Sequence, residues 1–347
     1  MEKIRVGVNG YGVIGKRVAD AVLAQPDMLL TGVADIVTDW RVRSAVTRLP
    51  VFAATSGAYT AMRASGVEPA GRLDDLLEQV DVIVDSTPKS IAAANLPIYR
   101  AAGVKVVLQG GEAHQTAGHS FVAQANYASA VGREITRVVS CNTTSIVRVL
   151  GALSDAQLLL RARGVLIRRA TDPWESHAGG IMNTMVPESV IPSHQGPDAQ
   201  SVRPELDVLT IAAKAAHTQT HTHYWTLQLT REATRDEILA ALRAVPRIAF
   251  IRMSDGLVAL NSTVELMRDI GRPRGDMWEV AIWEDLVTVN GSEAYLAYQV
   301  YNEAIVVPET IDAIRALTGS VTDPAASIRL TDTALGMRQD LLAADPS

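Results

Sequence analysis

A single cysteine, Cys141, serves the whole 347-residue chain. That excludes an internal disulfide and a cysteine-rich metal site, and a lone thiol fits a reducing, cytoplasmic compartment. No run approaches the roughly 20 apolar residues a membrane helix needs. The opening Met-Glu-Lys-Ile-Arg-Val lacks the apolar core of a signal peptide. Lysine and arginine form no cluster and the net charge is −6, so the electrostatic footprint of a nucleic-acid binder is missing. Internal repeats and low-complexity linkers are also lacking. What is there is an ordinary globular composition, 48% hydrophobic and 20% charged. The length exceeds what one core usually holds, so two domains are expected.

Lys3 to Val8 alternates charged and β-branched residues and then turns continuously apolar, as a first core strand would. It runs into Gly10-Tyr-Gly12-Val-Ile-Gly15 and the amphipathic stretch Lys16 to Leu23. This is G-x-G-x-x-G with a strand before it and a helix after it. Gly10 allows the tight turn, Gly12 lets the backbone approach a pyrophosphate, and Gly15 lets helix and strand pack closely. The anion then rests at the helix start, beside Val13 and Ile14. A glycine-rich structural turn is the alternative, and the flanking elements favour a dinucleotide. A second strand, Met28 to Ala34, ends at Asp35, whose carboxylate can accept from the adenosine ribose hydroxyls and would repel a 2′-phosphate. NAD is therefore expected over NADP, although Arg41 and Arg43 could accommodate the phosphate. Asp35 could also be a plain turn or cap residue.

Helix and strand patterns then alternate: Arg72 to Gln79, Val80 to Asp85, Ile91 to Ala102, Val104 to Leu108. Alternation means a parallel sheet with right-handed crossovers, whose strand C-termini bind ligands. Thr87, Pro88, Gly110 and Gly111 stand at such ends and are expected to line the nicotinamide side of the cleft. The strand Ile135 to Val139 closes the series and delivers Cys141 to the same edge, just before the helical pattern Ser145 to Leu153. A thiol at a helix start has its pKa lowered by backbone N–H groups and the helix dipole. Taken alone it would read as a buried structural cysteine; beside a nicotinamide it reads as a nucleophile.

Beyond residue 153 apolar runs cluster with few helices between them: Gly164 to Ala170, Leu206 to Ala213, Tyr224 to Leu229, Ala249 to Met253, Ala259 to Met267 and Glu279 to Trp283. Asp285 to Val289 and Glu293 to Val300 flank the hairpin signal Asn290-Gly291. An antiparallel sheet in an α+β domain is expected, with Arg235 to Val245 its clearest helix. The tail reads as helices over Pro308 to Leu317 and Leu330 to Leu342, Pro308 being placed to start one. Arg168-Arg169 at a strand end suits an anionic ligand or a salt-bridged terminus. Ser193-His194-Gln195-Gly196-Pro197 is a loop able to bind phosphate or hydroxyls, or a plain turn. His217, His221 and His223 lie close together on a strand, where His221 and His223 share one face. A metal would need acidic or cysteine company; none is expected, and a catalytic imidazole or a structural role remains.

Taken together, these residues resemble the archaeal-type (type II) glyceraldehyde-3-phosphate dehydrogenases. The shared pieces are Asn9-Gly-Tyr-Gly-x-Ile-Gly-Lys-Arg-Val-Ala-Asp20, Gln109-Gly-Gly-Glu112, Ser140-Cys-Asn-Thr-Thr144, Arg168-Arg-Ala-x-Asp-Pro173, Pro192-Ser-His-x-Gly-Pro-Asp198 and Ile305-Val-Val-Pro-Glu-x-Ile-Asp-Ala-Ile-Arg315, in order along almost the whole chain. The resemblance implies an α/β architecture: a Rossmann domain over 1–140, a catalytic domain on a mixed or antiparallel sheet over 141–301, and a C-terminal helical segment, 302–347, returning to the first domain. It also implies a homotetramer acting in glycolysis or gluconeogenesis on a phosphorylated aldehyde, inorganic phosphate and NAD(P). Cys141 would attack the aldehyde to give a thiohemiacetal and, after hydride transfer, a thioester that phosphate releases. Direct alignment favours His221 over His223 as acid/base. Ser140, Asn142 and Thr143 would contact substrate, as would His194, Gln195 and Gly196; Arg169 and Asn302 would contact the cofactor. The departures are Asp35-Ile36 in place of a Lys-Thr pair that holds the NADP phosphate, and Gln195 in place of a second histidine. Thr220 and Thr222 stand for apolar residues, and Asn302 for a glutamine. The changed loop leaves open a paralogue acting on another phosphorylated or acidic aldehyde, and a catalytically silent redox sensor is the reading from a different class.

Overall fold

The computed structural model describes residues 2–109 and 111–343, and these form two compact units. The first comprises the described residues of Met1–Ser140 together with Val306–Gly336. Its strands are β1 (Ile4–Asn9), β2 (Met28–Asp35), β3 (Val51–Ala53), β4 (Gly71–Arg72), β5 (Val82–Asp85), β6 (Lys105–Leu108), β7 (Ser120–Phe121) and β8 (Ile135–Val138). They pair in the order β4-β3-β2-β1-β5-β6-β8-β7, every neighbour parallel. β1 and β5 contain fully buried valines, as a sheet covered on both faces requires. Between β1 and β5 the direction of crossover reverses, which opens a crevice at their C-terminal ends.

The G-x-G-x-x-G turn lies there, and the geometry explains its glycines. Gly10 has φ +91°, and a Cβ on it would sit 2.8 Å from the Ser86 carbonyl carbon. A Cβ on Gly15 would stand 1.8 Å from the Gly10 oxygen, so the helix Val13–Ala24 can reach β1 only without one. The helix Val306–Thr318 completes this unit and is buried along almost its whole length. Its Glu309 accepts from the Ala123 N–H at 2.6 Å. Its Arg315, fully buried, makes two bonds to Asp27 (2.7 and 2.8 Å) and one to Gln25 (2.8 Å).

The second unit comprises Cys141–Ile305 and the described residues from Met337 onward. Its strands are β9 (Leu159–Arg169), β10 (Met185–Pro187), β11 (Val208–Ala215), β12 (His221–Leu229), β13 (Ile248–Ile251), β14 (Val280–Trp283), β15 (Thr288–Asn290) and β16 (Glu293–Val300). The order is β10-β11-β9-β12-β16-β14-β13, with β15 on β16. The sheet is mixed, not antiparallel throughout, because β9–β11 and β13–β14 are parallel pairs. Each of those pairs is joined by a segment long enough for a crossover, one containing the helix Leu260–Asp269. The hairpin β15–β16 turns through Gly291-Ser292, with Gly291 at φ +60°.

Three expectations need correction. Ala259 to Met267, read as an alternating strand, belongs to the helix Leu260–Asp269: Ser262 accepts from the Ala259 N–H (3.2 Å), and the buried Thr263 and Met267 are four residues apart on one face. Asp285 to Val289 begins in a 3₁₀ turn and is strand only from Thr288. The helix expected over 330–342 is Pro324–Leu335. Gly336 caps it in the left-handed conformation (φ +63°), and the chain beyond groups with the second unit, where Asp340 bridges to Phe250. Among the described residues no helix is long and apolar enough to cross a membrane.

Candidate active site

In the first unit the crevice fits a dinucleotide. Gly12 has open space where a Cβ would be, as does Gly111 (φ +109°), so backbone lies bare at both places. Val13 and Ile14 open the helix, where the first N–H groups lack intrahelical acceptors. Asp35 Oδ2 accepts from the Tyr11 N–H (2.7 Å) and Oδ1 from the Ile36 and Val37 N–H groups (2.6 and 3.2 Å). The carboxylate therefore braces the glycine turn, with lone pairs to spare for a ribose. Thr87 is held by the fully buried Asp85, which accepts from its N–H (2.9 Å) and hydroxyl (2.5 Å). Gly110 lies outside the described residues.

In the second unit Cys141 is the first residue of the helix Cys141–Asp155, whose next twelve residues are all buried. Arg148 anchors that helix by donating to the Trp278 and Ile305 carbonyls at 2.7 and 3.1 Å. The expected lowering of the thiol pKa does not win here. Burial pushes Cys141 up to about 11, against the downward pull of Arg169, Arg168 and the Asn142 N–H. The helix dipole is set by the chain next to the sulfur, whereas desolvation comes from the surrounding fold.

The two histidines of β12 have different surroundings. His223 Nε2 lies 2.8 Å from Asn142 Oδ1, an acceptor, so this nitrogen carries the proton, and Nδ1 accepts from the Tyr298 hydroxyl at 3.0 Å. Burial, helped by Arg168, pushes it down to about 3. Both of its nitrogens are committed to the fold. His221 Nδ1 accepts from the Arg169 N–H at 3.0 Å, which leaves Nε2 for a ligand. Burial and the neighbouring Arg169 hold His221 well below the ordinary histidine range, so it too is neutral. It stands two residues, roughly 7 Å, along the face on which His223 meets the nucleophile helix. His217 donates to the Thr220 carbonyl (2.8 Å). Among the described residues no three His, Cys, Asp or Glu side chains are grouped as metal ligands.

Thr143 donates to Asp198 (2.8 Å), linking the nucleophile helix to the segment of His194, Gln195 and Gly196, which was expected as a loop but enters the short helix Gln195–Gln200 with His194 just before it. Gly196 donates to Thr210 (3.1 Å), His194 is exposed and Gln195 is fully buried. The Arg169 guanidinium is salt-bridged to Asp172 and to Glu303 (3.0 Å). Asn302 Oδ1 is buried without a partner, as an acceptor awaiting a ligand amide would be. Ser140 is the last residue of the first unit. Two residues were not singled out beforehand. Asp198 lay inside a quoted motif without drawing attention, and Glu188, which pairs with Arg168, carried no signal beyond its charge.

A parallel sheet with a glycine turn open to a pyrophosphate, in a chain carrying a helix-leading thiol and an imidazole with one free nitrogen, defines an NAD(P)-dependent oxidoreductase. Residues 140–273 match the family described as glyceraldehyde 3-phosphate dehydrogenase, C-terminal domain, and residues 4–142 match dihydrodipicolinate reductase, N-terminus. Among known proteins, glyceraldehyde-3-phosphate dehydrogenases of Methanosarcina mazei and Hyperthermus butylicus are each 42% identical over 97% of this chain and 100% and 98% of their own lengths. That of Haloarcula marismortui is 41% identical over 99% of this chain and 97% of its own. The chain belongs to the glyceraldehyde-3-phosphate dehydrogenase family.

Proposed function

We propose that this protein is a phosphorylating, NAD-preferring dehydrogenase of D-glyceraldehyde 3-phosphate, a cytoplasmic enzyme of glycolysis or gluconeogenesis. Sγ of Cys141 bonds C1 as the carbonyl pair moves to oxygen; His221 Nε2, protonated while Nδ1 accepts from the Arg169 N–H, hands its proton to that oxygen and takes up the thiol proton in exchange, giving the thiohemiacetal. When hydride leaves C1, Nε2 takes the hydroxyl proton as its own passes to water. The nicotinamide, when bound, accepts the hydride, leaving a Cys141 thioester that inorganic phosphate cleaves to the acyl phosphate. Ser140, Asn142 and Thr143 position the substrate, as do His194, Gln195 and Gly196. Gly10, Gly12, Val13, Ile14, Asp35 and Gly111 hold the dinucleotide, and Arg169 and Asn302 are further cofactor contacts. The observation that carries this reading is the His223–Asn142 bond, which seats the His-x-His strand against the start of the Cys141 helix.

The test is NADH formation from D-glyceraldehyde 3-phosphate that requires phosphate or arsenate and is abolished by Cys141→Ser. Wild-type activity undiminished without phosphate defeats the phosphorylating step. Gln195, in place of the family's histidine, supports a second reading, the same chemistry on another phosphorylated or acidic aldehyde; kcat/KM across an aldehyde panel separates the two. A homotetramer is also proposed. Its support is a row of cross-strand neighbours on the second sheet, Ile211, Val165 and Tyr224, which are 43%, 46% and 49% exposed. Light scattering on the wild type and on Tyr224→Glu tests it, a monomeric wild type refuting it.

A further inference from the structure

Glu188 follows β10 directly, and its backbone is tied down by a 2.9 Å bond from its N–H to the Ala212 carbonyl. Its side chain meets three groups suited to binding an oxyanion. Arg168 Nη1 pairs with Oε1, Gln195 Nε2 lies 3.4 Å from the same oxygen, and His194 Nδ1 lies 3.5 Å from Oε2. Burial would raise this carboxyl, yet Arg168, Gln195 and His194 hold it below the usual range, so it is ionised. The carboxylate satisfies the cluster incompletely: Arg168 Nε and Gln195 Oε1 are both buried without a partner. The unpaired atoms are one donor and one acceptor. A carboxylate has no proton to give Gln195, whereas a monoprotonated phosphate has acceptor oxygens for Arg168 and a P–OH for the amide. The cluster also bears on the chemistry, because Arg168 pulls down the pKa of Cys141, His221 and His223.

We propose that Glu188 is a built-in stand-in for a phosphate group, occupying Arg168, His194 and Gln195 until an incoming phosphate displaces it. Glu188 thus sets how tightly the site takes phosphate. This rests on the functional reading above in naming phosphate as the ligand. Displacement makes the competent state a fraction of the total, and the apparent affinity is reduced by that fraction.

The test compares the full-length wild type with Glu188→Gln and Glu188→Ala by calorimetric titration. Inorganic phosphate and glycerol 3-phosphate are titrated separately, to distinguish the free anion from the phosphate of a substrate. Removing the charge tightens binding of one of them by about tenfold, and the KM for the corresponding reactant falls by a similar factor. Adding Arg168→Gln to Glu188→Gln removes the gain, which locates it. A residue that merely braced Arg168 would weaken binding and raise KM when removed. Unchanged or weaker binding of both probes in both variants therefore overturns the proposal. Affinity is read without turnover, so an inactive wild type would defeat the functional assignment while Glu188 is still judged on binding.

Discussion

Replacing His223 by leucine and His221 by asparagine separates two roles that a shared strand face would otherwise merge. His223→Leu keeps most of the side-chain volume but leaves Asn142 Oδ1 without its donor and the Tyr298 hydroxyl without its acceptor, both at buried positions. Each orphaned group costs about 1–3 kcal/mol. The Tyr298 hydroxyl keeps a 3.5 Å contact with Ser145, too long to replace the lost acceptor, so a destabilisation of about 2–5 kcal/mol is expected. His221→Asn is different, because the new Oδ1 stands close to the lost Nδ1 and can still accept from the Arg169 N–H. Its stability cost should stay near 1 kcal/mol, while the loss of an acid/base group lowers kcat by about 10²–10⁴-fold. Denaturant unfolding and steady-state kinetics on the same preparations read the two effects. If His223→Leu is as stable as wild type, or if His221→Asn retains near-normal kcat, the assignment of the two imidazoles is wrong.

Asp35→Lys should raise kcat/KM for NADP relative to NAD, since it removes the charge that opposes a 2′-phosphate; an unchanged ratio would mean that the carboxylate only braces the Tyr11, Ile36 and Val37 N–H groups. Stability should fall as pH drops from about 6.5, because the unfolded chain takes up protons that the buried neutral histidines refuse. With the folded pKa of His223 near 3, that residue alone contributes a loss of about 2 kcal/mol by pH 5. His221 and His119, the latter pushed down to about 4 chiefly by burial, act in the same direction, so flat stability between pH 7 and 5 refutes the reading. Arg315→Met removes the cation paired with Asp27 and lying 3.8 Å from the fully buried Asp312, which keeps the Ser327 and Thr331 hydroxyls, and should cost about 3–5 kcal/mol in thermal or denaturant unfolding; a variant within 1 kcal/mol of wild type would show the ion pairs to be dispensable.

The sequence was most informative where local sterics decide. The glycine turn between β1 and the helix Val13–Ala24 was legible because Gly15 cannot carry a Cβ without meeting the Gly10 oxygen five residues earlier, and the positive φ of Gly10 is likewise a local demand, although the backbone that its Cβ would meet belongs to the distant Ser86. The strands β1, β2, β5, β6 and β8 and the helices Val13–Ala24, Leu73–Leu77, Ile91–Ala102 and Val306–Thr318 were legible from their apolar period, whereas the short β3, β4 and β7 and the helices Trp40–Ala45, Ser56–Ala64, His114–Ala117 and Ala123–Ala130 were not read. Patterns failed where alternation and helical spacing overlap, as in Ala259 to Met267, and where one glycine, Gly336, ended a helix whose apolar pattern continued. In the candidate site, strand alternation placed His221 and His223 on one face but could not rank them, since the partners of His223 are Asn142 and Tyr298, 81 and 75 residues away. The Cys141 pKa followed the same logic: the helix dipole is a local property, the burial that outweighs it is not. Arg168 read equally well as an anion site or a salt-bridged strand end, and its partner Glu188 shows why the two are hard to tell apart.

The first unit begins at the N-terminus and yet needs Val306–Gly336, so it cannot be completed on a ribosome when residue 140 emerges. A further 196 residues, from 140 to 336, must be made first, which at roughly 5–20 residues per second is a wait of about 10–40 s. During that interval the surface later covered by the helix Val306–Thr318 is bare, and Asp27 and Gln25 lack Arg315. The nascent chain is then a natural client for a chaperone that shields apolar sheet. A stop codon placed anywhere before 306 should yield not a free dinucleotide-binding domain but an aggregate.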